Sequence, residues 1–367
     1  MVMSETMTQA WSILRLLRSD PPLEAAGDAH RRRTFSAALE QAEGLWRAAA
    51  GVSSAASPII LFYSLAQGAS ALCAARITDG QWEAVPSHGL TLRRPDTENG
   101  KVLTLSDIWV ESKGEGLVHQ AARLFGSPVL SKKARLGEVL CTLPQQEEFF
   151  LRDGYEEHLR PLVVRDGTGM LGGADTPSNE VAAVIGPLPP GLLTPERVGD
   201  KSVGMVELTL EEVVPWLSSY PALASAGRPS AIGHLYPMEL TRNPDYGVRV
   251  CWTLPHAIPW GSSSEWFSAI VDIVEHHEPG VYASGKALPS IGGNKVAQHP
   301  LISWWIVLYA CSMLARYHPR TWVALLDVDN SASAVPLDRI LQVAREQLPI
   351  LLLEAVLPNA ADSASGR

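Results

Sequence analysis

The sequence predicts an α+β protein, in which the N- and C-terminal parts form a mainly helical bundle and the middle segment is rich in strands. Long apolar helical stretches near both ends of the chain predict the bundle. In the segment between them, apolar and polar residues alternate with a period of two, which predicts strands. A chain of 367 residues, 46% of them hydrophobic, can bury a substantial core and suits about two domains. We expect these parts: an N-terminal helical part over 1–134, a strand-rich middle over 135–255, a C-terminal helical part over 256–356 that packs with the first, and a disordered tail over 357–367.

The two most apolar helices anchor this prediction. Residues 58–75, "PIILFYSLAQGASALCAA", are apolar nearly all round, and Pro58 fits the first helical position. Residues 301–316 are equally apolar. Because neither helix has a face suited to water, we expect them to share one core. Residues 9–50, rich in Ala, Leu, Glu and Arg, predict two or three amphipathic helices around it.

The same two helices could be mistaken for membrane spans. Residues 58–75 contain Gln67 and several small polar side chains, and the apolar run 301–314 is shorter than the roughly 20 residues that a bilayer requires. We therefore expect no membrane association. The N-terminus lacks the pattern of a secretory signal, which predicts a cytoplasmic location.

The middle of the chain alternates with the period of a strand. In "GVRVCWTL" the side chains of Val248, Val250 and Trp252 share one face. Four further stretches are predicted as strands: "RPLVVRD", "VAAVIGPLPP", "MVELTL" and "GHLYPMELTR". The chain is then expected to return to helix over 262–277, "SSSEWFSAIVDIVEHH".

One stretch has the spacing of a phosphate-binding loop. Gly280, Gly285 and Lys286 match G-x-x-x-x-G-K, but Ala287 lacks the hydroxyl that would bind Mg²⁺. A P-loop also needs a strand before it and a helix after it, whereas the preceding residues predict a helix and Pro289 follows closely. We expect an exposed loop joining two helices, without nucleotide binding.

No other pattern predicts a cofactor or a metal. The run Glu275–Glu278, "EHHE", places its ligand types next to one another, and neighbouring residues on a helix do not share a face, so a polar helix terminus is predicted. The four cysteines lie far apart without a C-x-x-C pair. Neither G-x-S-x-G nor G-x-G-x-x-G occurs. The formal charge of -9 argues against nucleic-acid binding over the whole surface, although a local basic face fits an acidic total.

Three stretches carry a family resemblance: "SPIILFYSLAQGASALCAA", "SHGL" at 87–90 and "LYACSMLARYHPRTW" at 308–322. In these the sequence resembles the YaaC-like family of bacterial proteins. The resemblance covers both helical ends and implies no mechanism.

A second, looser resemblance is to HEPN domains, which are helical bundles of RNA-targeting toxins, defence proteins and non-catalytic partner modules. The helix with Phe62 and Tyr63, followed by a turn with His88, is similar to the tyrosine helix and histidine turn of these domains. Catalytic members carry R-x(4–6)-H, and Arg152 and His158 in "RDGYEEH" have that spacing. The resemblance implies a HEPN-like bundle.

Two functions follow as hypotheses. The first is a non-enzymatic helical module that binds an unknown protein or small ligand, with Tyr63, His88, Arg316 and His318 as its binding residues. The second is a HEPN-like metal-independent ribonuclease that acts on RNA in toxin or defence biology. Arg316 also suits a purely structural role, since a cation near the end of a helix complements its dipole. These binding residues are expected to form one shared site only if the two apolar helices run parallel, because only then do the C-terminal ends of both helices meet.

Overall fold

The protein is described by a computed structural model covering residues 5–83, 85–95, 103–149, 159–167, 178–192, 208–238, 245–258, 264–271, 273–275 and 284–357, and every structural statement below concerns these residues. They form two compact units. The helical unit comprises Met1–Leu140, Glu148–Tyr155 and Gln298–Arg367, and the sheet unit comprises Cys141–Glu147 and Glu156–Ala297. The mixed α+β class predicted from the sequence is confirmed.

The described helices and strands follow one another along the chain without an internal repeat. The helices are α1 Glu5–Ser19, α2 Glu24–Gly27, α3 Ala29–Ala49, α4 Ser57–Arg76, α5 Leu117–Arg123, α6 Leu136–Cys141, α7 Leu210–Leu217, α8 Pro221–Ser225, α9 Ser264–Ile270, α10 Pro300–Tyr317, α11 Pro319–Leu325 and α12 Ala334–Val356. The strands are β1 Leu90–Arg93, β2 Trp109–Ser112, β3 Ala134–Arg135, β4 Leu162–Asp166, β5 Ser178–Gly186, β6 Ala231–Met238, β7 Asp245–Ile258, β8 Ile273–Glu275 and β9 Ser284–Ala287.

The core of the helical unit is built on α4 and α10, which pack together in antiparallel directions. Near the start of α4, the ring of Phe62 lies 6.1 Å from that of Trp305 and 5.7 Å from that of Tyr309, measured between centroids. At the other end of α4, the Arg76 guanidinium lies 5.9 Å from the ring of Phe125, which in turn stacks on the residue that caps the start of α10. The predicted packing of the two apolar helices is therefore present.

Other helices surround this pair. Gly68 of α4 lets α12 approach closely, because a Cβ added there would lie 2.7 Å from both δ-carbons of Leu352. The rings of Trp11 in α1 and Trp46 in α3 lie 5.5 Å apart, and Trp46 Nε1 donates to the Arg345 carbonyl of α12 at 2.8 Å. These contacts bury the N-terminal helices against the C-terminal one.

The start of α10 is fixed by His299. Its Nδ1 accepts a hydrogen bond from the Leu301 N–H at 3.2 Å, which caps the helix, and its ring stacks on Phe125 at 3.9 Å. Burial, together with the positive charge of Arg76, lowers the pKa of His299 to about 4. The ring is therefore neutral at neutral pH, as the capping bond requires.

The sheet unit contains one six-stranded sheet, antiparallel throughout, with strand order β6-β7-β5-β4-β9-β8. Its register pairs Val164 with Ile185 and Ile185 with Val248, so that alternate apolar side chains share one buried face. Helices α7, α8 and α9 contribute to the core on that face. The strands predicted around 160–166, 181–190, 233–242 and 247–254 are confirmed as β4, β5, β6 and β7.

Two secondary-structure predictions are wrong within the described residues. The stretch "MVELTL" does not end as a strand, because Thr209 and Glu212 form a capping box that opens α7. The helix predicted over 262–277 ends at Ile270, and Ile273–Glu275 is strand β8. Its apolar run "AIVDIV" suits either state, and pairing with β9 decides in favour of the strand.

The phosphate-loop stretch is also not the exposed loop that the sequence predicts. Ser284–Ala287 forms β9 between β4 and β8, and Lys286 is 7% exposed. Its Nζ donates to the Pro144 carbonyl at 2.9 Å within the sheet unit. Lys286 is thus a structural residue of the sheet, and Gly280 lies outside the described residues.

Among the described residues, one helix is long and apolar enough to cross a membrane by length and composition, namely Ser57–Arg76. It is α4, and 72% of its most apolar window is buried inside the protein, as is common for a core helix. All four cysteines are buried and free. No group of three or more metal-ligating side chains occurs in the described part of the chain.

The partly buried ring of His299 should make the stability of the protein depend on pH. Its pKa is about 4 in the folded state and about 6.5 when exposed, so the unfolded chain binds the extra proton first and stability falls as the pH drops below about 6.5. At pH 5 this contribution costs about 2 kcal/mol. His299→Asn keeps a capping acceptor but removes the titrating ring, so denaturant unfolding at pH 7.5 and pH 5 should show a smaller loss in this variant.

The matched control is His30→Asn, which changes an exposed histidine of α3. Between pH 7.5 and pH 5 this variant should lose as much free energy of unfolding as the wild type does. Equal pH dependence in all three proteins would contradict the prediction.

Candidate ligand-binding site at the end of α10

The chain returns to the start of α4 after that helix ends. His88 lies against Phe62, with ring centroids 4.9 Å apart, and 6.1 Å from the ring of Tyr309 on α10. The Tyr309 hydroxyl donates to the Leu90 carbonyl at 2.7 Å and so ties the first residue of β1 to the same helix. The turn with His88 is therefore held between the two core helices and β1.

This turn depends on a glycine. Gly89 has a φ of 79°, in the left-handed region, and a Cβ there would lie 2.5 Å from His119 Nδ1. The Gly89 N–H donates to Ser87 Oγ at 3.2 Å, and the Ser87 carbonyl accepts from the Leu117 N–H at 2.8 Å. The stretch "SHGL" is thus a tight turn that leads into β1 and packs against the start of α5.

Ser112 and His119 form a hydrogen-bonded pair beside this turn, with Oγ and Nε2 2.7 Å apart. Such a pair could suggest a serine nucleophile and its base. However, His119 Nδ1 is buried and has no partner among the described residues. The proton is therefore best placed on Nε2, which donates to Ser112 and does not activate it. We assign the pair a structural role.

Arg316 lies in the last turn of α10 and contacts two tyrosine rings. Its guanidinium carbon is 5.7 Å from the centroid of the Tyr63 ring and 4.8 Å from that of Tyr317. Its Nη2 donates to the Tyr317 hydroxyl at 2.7 Å. These two cation–π contacts and the hydrogen bond hold the guanidinium in place.

His318 ends α10 and meets Arg94, which follows β1. Arg94 Nη2 lies 3.0 Å from His318 Nδ1, and since an arginine can only donate, His318 accepts and carries its proton on Nε2. Burial and the charge of Arg94 lower the pKa of His318. Arg94 Nε is buried and has no partner within the described ranges.

These side chains form a positively charged group in an acidic protein. We call Tyr63, His88, Arg94, Arg316, Tyr317 and His318 the Arg316 cluster. Burial and the positive charge of Arg316 lower the pKa of His88. Among described residues, no carboxylate pairs with Arg94 or Arg316, whereas the neighbouring Arg93 pairs with Glu111 at 2.7 Å.

The structure brings together the four binding residues predicted from the sequence, Tyr63, His88, Arg316 and His318, at one end of the helical unit. The expectation that this needs parallel helices is wrong. Tyr63 stands near the start of α4, not its end, and the chain after α4 runs back to that start, so antiparallel packing joins them. The other predicted pair, Arg152 and His158, lies outside the described residues.

Sequence reasoning missed Arg94 and Tyr317. Arg94 stands in the polar run "LRRPD" and Tyr317 directly beside a predicted residue. No spacing in the sequence links Arg94 to His318, because their contact spans more than two hundred residues and depends on where β1 lies.

A family model described as YaaC-like Protein matches residues 3–176 and 253–356, which is most of the chain. The chain belongs to the YaaC-like protein family. The matched segments include every residue of the Arg316 cluster and the pair Arg152 and His158. No curated protein and no solved structure matches the chain. Membership of the family therefore leaves the ligand and the HEPN resemblance as predictions.

The turn with Gly89 can be tested directly. Gly89→Ala should lower the free energy of unfolding by about 2–4 kcal/mol, because the new methyl group meets His119 and the positive φ is strained. Gly114→Ala is the matched control, since Gly114 also has a positive φ, 64°, but open space around it, and it should cost only about 1 kcal/mol. Equal losses in urea unfolding would show that the close packing has no effect.

Proposed function

We propose that this YaaC-like protein is a non-enzymatic, cytoplasmic binding module whose helical unit holds an anionic group at the Arg316 cluster. The observation that carries the proposal is that two partly buried arginines at the end of α10, Arg316 and, against His318, Arg94, lack a carboxylate partner among the described residues. Two histidines lie beside them. The partner presents a negative charge there, whether it is a protein, a small ligand or an RNA that is bound without being cleaved.

The polar atoms of the cluster support this proposal. One donor of Arg316 is used by Tyr317, while its Nε and Nη1 meet no acceptor in the described part of the chain and are not sealed from solvent. The ring nitrogens of His88 likewise have no hydrogen-bond partner among the described residues and are not sealed from solvent. An anion between the two side chains would accept hydrogen bonds that the protein itself leaves to water.

A purely structural role for Arg316 explains less. A cation in the last turn of α10 complements the helix dipole, but a lysine would serve equally well. The guanidinium contacts the rings of both Tyr63 and Tyr317, and a planar group with several fixed donors suits the recognition of an oxyanion. Arg316→Lys separates the structural role from anion binding, because it keeps the positive charge and removes the planar guanidinium with its several N–H donors.

Sulfate is a suitable probe because its charge does not change near neutral pH. At constant ionic strength, low-millimolar to 50 mM sulfate in place of chloride should raise the melting temperature of the wild type by about 2 °C through binding to the folded state. The increment should disappear in Arg316→Gln and shrink in Arg316→Lys.

Arg320→Gln is the matched control, since Arg320 is an exposed arginine of α11 and its loss should preserve the increment. General salting-out by sulfate acts on all variants alike and cancels in the comparison. If Arg316→Gln melts several degrees lower in chloride but keeps the sulfate increment, the cluster stabilises the fold and binds no anion.

The HEPN-like ribonuclease is the second candidate, and the spacing of Arg152 and His158 favours it. In that mechanism the two side chains act on an RNA phosphodiester without a metal. Under the binding-module proposal, purified protein incubated with total RNA in EDTA leaves the RNA intact. Degradation that is lost in both Arg152→Ala and His158→Ala would replace the first proposal by the second.

A further inference from the structure

We infer that the ligand of the Arg316 cluster is a nucleoside phosphate, with its phosphate between Arg316 and His88 and its base stacked on the ring of Tyr317. The inference rests on the proposed function, because it assigns a chemical class to the ligand of that same site. It is carried by the charge of the cluster and by the position of one exposed aromatic ring.

The charge of the cluster favours a phosphate over a carboxylate. Arg316, and Arg94 through its contact with His318, bring two positive charges to the end of α10, and neither arginine pairs with a carboxylate of the described residues. A carboxylate would offset one of them, whereas a phosphate monoester carries up to two negative charges. The guanidinium fork also matches two oxygens of a phosphate, and His88 offers a further donor at its edge.

The ring of Tyr317 supplies a surface for a base. Tyr317 is 56% exposed at the end of α10, and one side of its ring faces the Arg316 guanidinium at 4.8 Å. Tyr63 also contacts that guanidinium, with its ring centroid 5.7 Å from the Arg316 Cζ, which helps to keep the cation beside the exposed ring. Aromatic rings next to basic side chains are the arrangement by which proteins bind unpaired bases, since every base has a flat face to stack.

A free nucleotide and the end of an RNA strand both provide this chemistry. Each joins one base to one phosphate through a ribose. We therefore assign the shared unit and let the experiment distinguish its source.

The test compares three ligands of the full-length protein by titration calorimetry: inorganic phosphate, ribose 5-phosphate and UMP. UMP should bind about tenfold more tightly than ribose 5-phosphate, which has the same phosphate and sugar but no base. Tyr317→Ala should abolish this difference, because it should weaken UMP about tenfold more than it weakens ribose 5-phosphate and inorganic phosphate. Tyr317→Phe, which keeps the ring, should retain it, and Arg316→Gln should weaken all three ligands.

The outcomes separate the two proposals. If phosphate binds but UMP binds no more tightly than ribose 5-phosphate, the inference fails while the anion site stands. If none of the three ligands nor sulfate binds, the proposed function fails as well. Equal weakening of all three ligands by Tyr317→Ala would show that Tyr317 only positions Arg316, and would overturn base stacking.

A second arm identifies the source. If a 5′-phosphorylated hexauridylate binds more tightly than UMP, the bound nucleoside phosphate is the end of an RNA strand. Binding equal to or weaker than that of UMP supports it as a free nucleotide.

Discussion

The antiparallel packing of α4 and α10 is the contact on which the helical unit depends. Both helices are buried nearly all round, with Leu61, Leu72 and Ile306 at 0% exposure, so each needs neighbours on every side. A fully buried large aliphatic side chain contributes about 1.5–3 kcal/mol relative to an exposed one. Helices α1, α3 and α12 complete the shell that this pair requires.

The position of the candidate site follows from the same packing. Antiparallel helices place the start of α4 beside the end of α10, where Tyr63 and Arg316 meet. Strand β1 then runs along α10 from Tyr309, which holds Leu90, to His318, which meets Arg94. The advance along the strand from 90 to 94 and along the helix from 309 to 318 is about 13 Å in each case, at their usual rises per residue. The meeting of Arg94 with His318 thus follows from the equal advance of β1 and α10 along the same direction.

The sequence predicts the long elements well because their patterns are strong. The apolar helices at 58–75 and 301–316 and the alternating strand at 247–254 are present, since burial on all sides or on one face leaves a clear period. Short elements depend on tertiary pairing, which is why the sequence predicts a loop for Ser284–Ala287 although the segment forms a strand. In the site, Tyr63 and Arg316 were identified individually, but the direction of the helices and the contact of Arg94 were not, because both are set by packing across distant segments.

The helical unit is discontinuous in sequence, and this has a consequence for its synthesis. Its last segment starts at Gln298, after the whole sheet unit has been made. At ribosomal rates of about 5–20 residues per second, α4 waits on the order of ten seconds or more for α10, one of its apolar partners. During that time the sheet unit can fold, while the N-terminal helices expose apolar surface to chaperones and to other nascent chains. A translation product that stops before Gln298 would therefore leave α4 packed on α3 but without α10 and α12.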